Sequence, residues 1–276
     1  MNVKYNNLQG LGELERSHLS NLLRLSKGPI SISDAEEILK LPRISAAKIL
    51  SKYAQKGWLT RLAPGVYIPV PIESNTADIS PEDPIGITEK LFSPCYISGW
   101  TAAEHWGLTE QIFQSIIVVV QAQRANYRPV IQGTEYCLYL SAKERFFGFK
   151  KVWRGNVQIQ MADPSRLMLD LVYRPEMGGG IRSVSDFFSN YLSSEKRNIP
   201  LLSEYLEQFD SGVACKRLGF LAEKYCPEEK ALIELCHQKI TKGYSKLDPG
   251  LECAIHLSRW NLLIPESWQS VSGEVK

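Results

Sequence analysis

The sequence has no apolar run approaching the roughly 20 residues that cross a bilayer, and its longest β-like stretch, Ile116 to Val120, has the length of a buried strand. The N-terminal residues MNVKYNNLQGLGELERS lack the apolar core of a secretory signal, so the protein is expected in the cytoplasm with no membrane partner. Its six cysteines, Cys95, Cys137, Cys215, Cys226, Cys236 and Cys253, include no CxxC pair, which argues against a zinc ribbon or a disulfide framework and for small core residues. The nearest approach to a metal set is Cys236-His237 with Cys253 and His256, and its spacing matches no common zinc motif. Neither a metal nor a cofactor is expected.

Enzyme motifs are missing too. There is no P-loop, GxGxxG, HExxH or GxSxG. Gly178-Gly179-Gly180 lacks the preceding strand and following Lys-Ser/Thr of a phosphate loop and reads as a helix connection. Asp163 and Asp170 would be the carboxylates of a nuclease, but Asp163 reads as a helix cap, and Asp170 sits in an apolar helix with no Glu-x-Lys partner nearby. No catalytic residue is assigned, and the protein is read as a non-enzyme.

What is present is an uneven charge. The chain of 276 residues carries a net charge of only +2, yet residues 1–70 hold ten Lys and Arg against five acids, while the remainder holds 22 against 25. A local positive field of this kind suits phosphate binding, which is electrostatic and driven by counterion release. The base-rich part also carries the clearest element order. Ser33 with Glu36 forms a capping box that starts a short helix near Asp34, and Pro42 ends it. After a turn containing Arg43, Ser45 caps a second helix running to about Lys56, with Ala46, Ile49, Leu50 and Tyr53 on its buried stripe and Gly57 as its stop. Trp58 to Leu62 and Val66 to Ile68 then read as strands about a Pro64-Gly65 turn. Helix, tight turn, helix and hairpin is the order of a winged helix-turn-helix, whose second helix enters the major groove of double-stranded DNA. Ser45, Lys48, Ser51, Lys52 and Gln55 would face outward, with Arg43 in the turn and Arg61 on the wing, supplying groove and phosphate chemistry. A merely solvated helix face competes with this reading of the same residues. An earlier helix, with Leu11, Leu14, His18, Leu19, Leu22 and Leu23 on its stripe, gives the unit its floor.

The fold class expected is α+β: a winged helix-turn-helix domain over 1–70, a linker over 71–84, and a mixed α/β domain over 85–276 with a helical C-terminal third. The linker reading rests on the aperiodic VPIESNTADISPEDP, rich in Pro, Ser and acids. Beyond it, helices are expected at Ile85 to Phe92 and at Thr101 to Trp106, the latter capped by Thr101. Strands are expected at Cys95 to Ser98, Ser115 to Gln121, Tyr136 to Leu140, Phe146 to Trp153 and Val157 to Met161. Asp163 followed by Pro164 marks a helix start. Four further helices are expected between Val184 and Ile240, and Lys246 to Trp268, without periodicity, is expected to lie across the surface.

The sequence resembles the AbiEi antitoxin family of bacterial type IV toxin–antitoxin systems. The resemblance lies in Gly57-Trp58-Leu59-Thr60-Arg61-Leu62 with Gly65-Val66-Tyr67, in Tyr96-Ile97-Ser98-Gly99-Trp100-Thr101-Ala102-Ala103 with Trp106-Gly107-Leu108-Thr109, in Arg217-Leu218-Gly219-Phe220-Leu221, and in Leu247-Asp248-Pro249 with Arg259-Trp260-Asn261. It covers nearly the whole chain and is weakest from Glu135 to Gln160. It implies an N-terminal domain that binds inverted repeats in its own promoter and represses the operon, and a C-terminal domain that neutralises a nucleotidyltransferase-like AbiEii toxin without requiring a stable complex, as in phage defence. The implied DNA face is Arg43, Ser45, Lys48, Lys52 and Arg61; candidate antitoxin residues are Lys150, Lys151 and Arg154, for which a solvated strand edge is the competing reading. The alternative function is a one-component winged-helix regulator whose second domain binds a small ligand.

Overall fold

The computed structural model describes residues 10–26, 28–71, 81 and 83–271, so the extreme N-terminus and most of the expected linker lie outside the described residues. Two units result. One comprises the described residues up to Cys95 with Arg124–Cys137 and Lys151–Ile159; the other comprises Tyr96–Gln123, Leu138–Lys150 and the described residues from Gln160 onward.

The first unit begins with helix α1 (Glu13–Leu25), the short strand β1 (Ile30–Ser31) and helix α2 (Ile32–Leu39). The cap of α2 is not Ser33. Ser31 fills that place: its Oγ accepts from the Asp34 N–H at 3.1 Å while Asp34 Oδ2 accepts from the Ser31 N–H at 2.7 Å. Two serine-x-x-acid pairs overlap here, and a distant group separates them, because Lys90 Nζ stands 2.7 Å from both Asp34 oxygens. Burial alone would push the Asp34 carboxyl up, but its bonds to Lys90 and Ser31 outweigh that and hold it below the ordinary value.

Lys40, left-handed at φ 53°, closes α2, and helix α3 (Arg43–Gln55) follows directly on Pro42. Here too the cap differs from expectation. Pro42 occupies the N-cap position with φ −57°, and Ser45 lies inside the first turn, its N–H donating to Pro42 O at 2.8 Å. Proline fixes the entry dihedral without any side-chain cap, which makes Arg43 the first helical residue rather than a turn residue. Strands β2 (Leu59–Ala63) and β3 (Val66–Pro69) form the expected hairpin, with Gly65 at φ 80° in its turn. The sheet has the order β1-β3-β2, Ile30 lying opposite Tyr67. Leu19, Leu22, Ile30, Ala35, Leu50, Tyr53 and Tyr67 join helices and sheet in one core. Helix α4 (Thr88–Phe92) is shorter than expected, starting three residues later than Ile85.

A second sheet has the strand order β6-β7-β5-β4-β9-β8, built from β4 (Cys95–Ile97), β5 (Ser115–Val120), β6 (Val130–Ile131), β7 (Thr134–Leu140), β8 (Phe149–Arg154) and β9 (Val157–Ala162). Between β4 and β5, helix α5 (Gly99–His105) starts after Ser98 and not at Thr101. The Thr101 hydroxyl accepts instead from the Ile117 N–H at 3.0 Å, tying the helix to its strand.

Helix α6 (Pro164–Tyr173) begins where Asp163 and Pro164 place it: Asp163 Oδ1 accepts from Ser165 N–H at 2.9 Å and from Arg166 N–H at 3.0 Å. Along α6, Arg166 and Asp170 face inward one turn apart, paired at 2.9 Å with both side chains buried. Asp170 also accepts from Ser98 Oγ at 2.7 Å and from the Tyr96 hydroxyl at 3.1 Å. Helices α7 (Ile181–Ser193), α8 (Ile199–Phe209), α9 (Gly212–Tyr225) and α10 (Lys230–Gln238) complete the helical third.

The tail is not draped over the surface. Strands β10 (Ser245–Lys246), β11 (Ile255–Leu257) and β12 (Leu262–Ile264) make a small sheet of order β10-β12-β11, and Leu247, Leu257, Trp260, Leu262 and Ile264 are buried. Strands of two or three residues are too short to show a period, so their apolar residues read as noise in the sequence. Arg217 fastens this sheet, donating to Lys246 O at 2.7 Å and to Val172 O at 3.0 Å. All six cysteines are buried, and burial pushes the Cys95 thiol up to about 12 and those of Cys215 and Cys226 up to about 11. Among the described residues, no helix is long and apolar enough to cross a membrane.

Candidate nucleic-acid interface

Helix α3 buries Ala46, Leu50 and Tyr53 and leaves the opposite side open. The Tyr53 hydroxyl donates to Glu15 O at 2.9 Å; burial, then the Glu15 charge, pushes this phenol up to about 12, so it stays a donor and pins α3 to α1. On the open side Lys48, Ser51, Lys52 and Gln55 are exposed and share one helical face, while Ser45 is half-buried at its margin. Arg43 is exposed at the first position of the helix, 3.9 Å from Glu36 Oε2 and donating to Ser33 Oγ at 3.3 Å. Arg61 is exposed on β2, its Nε donating to Ala63 O at 3.4 Å.

Two features of this face were not foreseen. Ile44, 72% exposed, sits in line with Lys48, Ser51 and Gln55 at helical spacing. An exposed β-branched side chain in the first turn of a helix offers a methyl contact of the kind that reads the thymine methyl group. The i, i+4, i+7, i+11 spacing with three polar neighbours was the signal for it. The second feature is Glu15 of α1, which pairs with Lys52 Nζ at 2.6 Å and with Lys56 Nζ at 2.6 Å. Hydrogen bonds from Lys52, then Lys56, hold its carboxyl down at about 2, so it remains an anion throughout the neutral range. Lys52, expected as a phosphate contact, thus already has a carboxylate partner, while Lys48 is exposed with none among the described residues.

The other candidates lie on β8, at the edge of its sheet. Lys150 and Lys151 are exposed there, whereas Arg154 is held by Asp83 in a bidentate pair at 2.9 and 3.1 Å. The structure therefore presents Lys150 and Lys151 outward and turns Arg154 to a structural partner. Near the chain end, Cys236 is buried and His237 stacks on Trp260 with ring centroids 3.9 Å apart, while His256 meets the Tyr244 ring edge-on.

Comparison with known proteins gives a likeness of fold along the chain and a family-model match over its N-terminal part. The crystal structure of the RV2827C protein from Mycobacterium tuberculosis superposes with a TM-score of 0.58 over 94% of each chain at 13% identity, a likeness of fold. No curated protein matches the sequence. Residues 18–70, which run from within α1 to the end of the hairpin, match the family described as transcriptional regulator, AbiEi antitoxin.

Proposed function

We propose that this chain is a promoter-binding autorepressor that also serves as the antitoxin of a type IV system. In this reading residues 1–70 are a winged helix-turn-helix domain, α3 lies in the major groove of an inverted repeat, and the β2–β3 hairpin is its wing. Arg43, Ser45, Lys48, Ser51, Lys52 and Gln55 meet bases and phosphates from α3, and Arg61 meets the backbone from the wing. The observation that carries the reading is the α3 face itself, with Ile44, Lys48, Ser51 and Gln55 open to solvent beside a three-stranded sheet.

The test is the affinity for inverted repeats upstream of the protein's own gene, measured across a range of salt. Replacing Arg43 and Lys48 together with alanine should weaken binding and lower the slope of log affinity against log salt by roughly 2, since each phosphate contact contributes about 0.9. Glu15→Gln should move the slope the other way, because it frees Lys52 and Lys56. An affinity and slope untouched by the double substitution would remove α3 from the DNA face.

Residues 85–276 would carry the antitoxin activity against a nucleotidyltransferase-like AbiEii toxin, with no stable complex required, and Lys150 and Lys151 are the exposed cations open to that role. Growth decides this part. Expression of the neighbouring toxin gene should arrest cells, and co-expression of the full chain should restore them; continued arrest would end the antitoxin reading.

A further inference from the structure

The second unit contains a cavity of about 500 Å³ that the DNA and antitoxin readings leave unused. Its volume lies within the roughly 300–1,000 Å³ of small-molecule sites. The lining is strongly one-signed: Lys143, Arg145, Arg166 and Arg174 stand against a single carboxylate, Asp170. That carboxylate is already engaged, 2.9 Å from Arg166 Nη2. Arg145 and Arg174 make no ion pair among the described residues. Arg145 donates to Phe209 O and Asp210 O at 2.9 Å, and Arg174 to Leu140 O at 3.2 Å. Such bonds orient a guanidinium without cancelling its charge.

Arg166 adds charge to the wall. It is fully buried, its Nε and Nη2 bonded within the protein, so it contributes positive potential to the cavity from behind its surface. Aromatic surface lies beside the charge. The Arg174 guanidinium sits 5.5 Å from both the Tyr139 and Tyr173 ring centroids, and these two tyrosines also line the cavity. Cations with a fork geometry fit phosphate, and a π face fits a planar base.

We propose that this cavity binds a nucleotide, a small molecule joining phosphate to an aromatic base, with Arg174 and Lys143 on the phosphate and a tyrosine ring against the base. A site of about 500 Å³ within one unit has the size for a small molecule, whereas a nucleic-acid strand needs a groove that tracks several nucleotides. The proposal does not depend on DNA binding by the first unit.

Calorimetric titration of the full chain with ADP and UDP, with adenosine, inorganic phosphate and citrate as comparators, tests it. A nucleoside diphosphate should bind, adenosine should bind at least tenfold more weakly, citrate should not match the nucleotides, and inorganic phosphate should compete with them. Arg174→Gln should weaken nucleotide binding at least tenfold with the far-UV circular dichroism unchanged. Lys143→Ala, at an exposed side chain, gives a second reading that holds even if Arg174→Gln disturbs the fold. Absence of binding by either nucleotide at millimolar concentration would overturn the proposal. So would equal binding of adenosine or citrate, or nucleotide affinity unchanged in Lys143→Ala and in a folded Arg174→Gln.

Discussion

Asp170→Ala is expected to cost the second unit about 3–5 kcal/mol, the range for removing one partner of a buried ion pair. The loss comes less from the attraction given up than from what is left behind. Arg166 is fully buried, its Nη2 bonds otherwise only to the Tyr96 hydroxyl at 2.8 Å, and its Nη1 is already unpaired. Without Asp170, Ser98 Oγ also loses the acceptor it holds at 2.7 Å. Aromatic rings on three sides, Tyr96, Phe147 and Phe209, ease the guanidinium charge by their faces at 4.6 to 5.5 Å, too weakly to replace a carboxylate. Denaturant unfolding followed by far-UV circular dichroism should show the transition of the second unit at a lower midpoint. The double variant Arg166→Met with Asp170→Leu should recover much of the loss, because apolar residues of similar volume carry no desolvation penalty. A single variant as stable as the parent would mean that this pair is dispensable to the core.

Trp260→Ala should cost a comparable amount, about 3–5 kcal/mol, as large aromatic truncations in a core do. The indole is fully buried, stacks on His237, and donates from Nε1 to Glu223 Oε2 at 2.6 Å. Its seat is made by an absence, since a Cβ on Gly219 of α9 would overlap the six-membered ring of Trp260. Gly219→Val should therefore destabilise as well, although it adds atoms rather than removing them, because the ring must leave its place. Measured by circular dichroism in denaturant, the two changes together should cost less than the sum of the two alone, since a ring already removed cannot be displaced. Full additivity would show that the two positions do not share one packing site.

Much of the first unit was legible in the sequence because its signals are local. The Pro64-Gly65 turn and the α3 stripe of Ala46, Leu50 and Tyr53 lie within a few residues of what they determine, as does the Asp163-Pro164 helix start in the second unit. What escaped was decided at a distance. Ser31 prevails over Ser33 as the cap of α2 with Lys90 supporting Asp34 across 56 positions, and Lys52 acquires its partner Glu15 from another helix. The same separation explains the motifs of the C-terminal third. Arg217 and Gly219, then Asp248, then Trp260 and Asn261 are read apart in the sequence yet serve one assembly. Arg217 holds Lys246 O, Gly219 admits Trp260, and Asp248 Oδ2 accepts from the Ile181 N–H at 2.8 Å. For the candidate DNA face, charge and helical spacing gave the cations, but neither reveals that Lys52 is paired with Glu15 of another helix, nor that an isoleucine stands among them.

The buried thiols give the molecule a way to time its own opening. At neutral pH, Cys95, Cys215 and Cys226 are held in the unreactive protonated form by burial, and the folded chain shields all six sulfurs from reagents. A thiol-alkylating reagent in excess therefore records transient exposure rather than the resting state. Cys95 and Cys137 fall in the first unit and the other four in the second, so peptide mass mapping of the adducts assigns each opening to its unit.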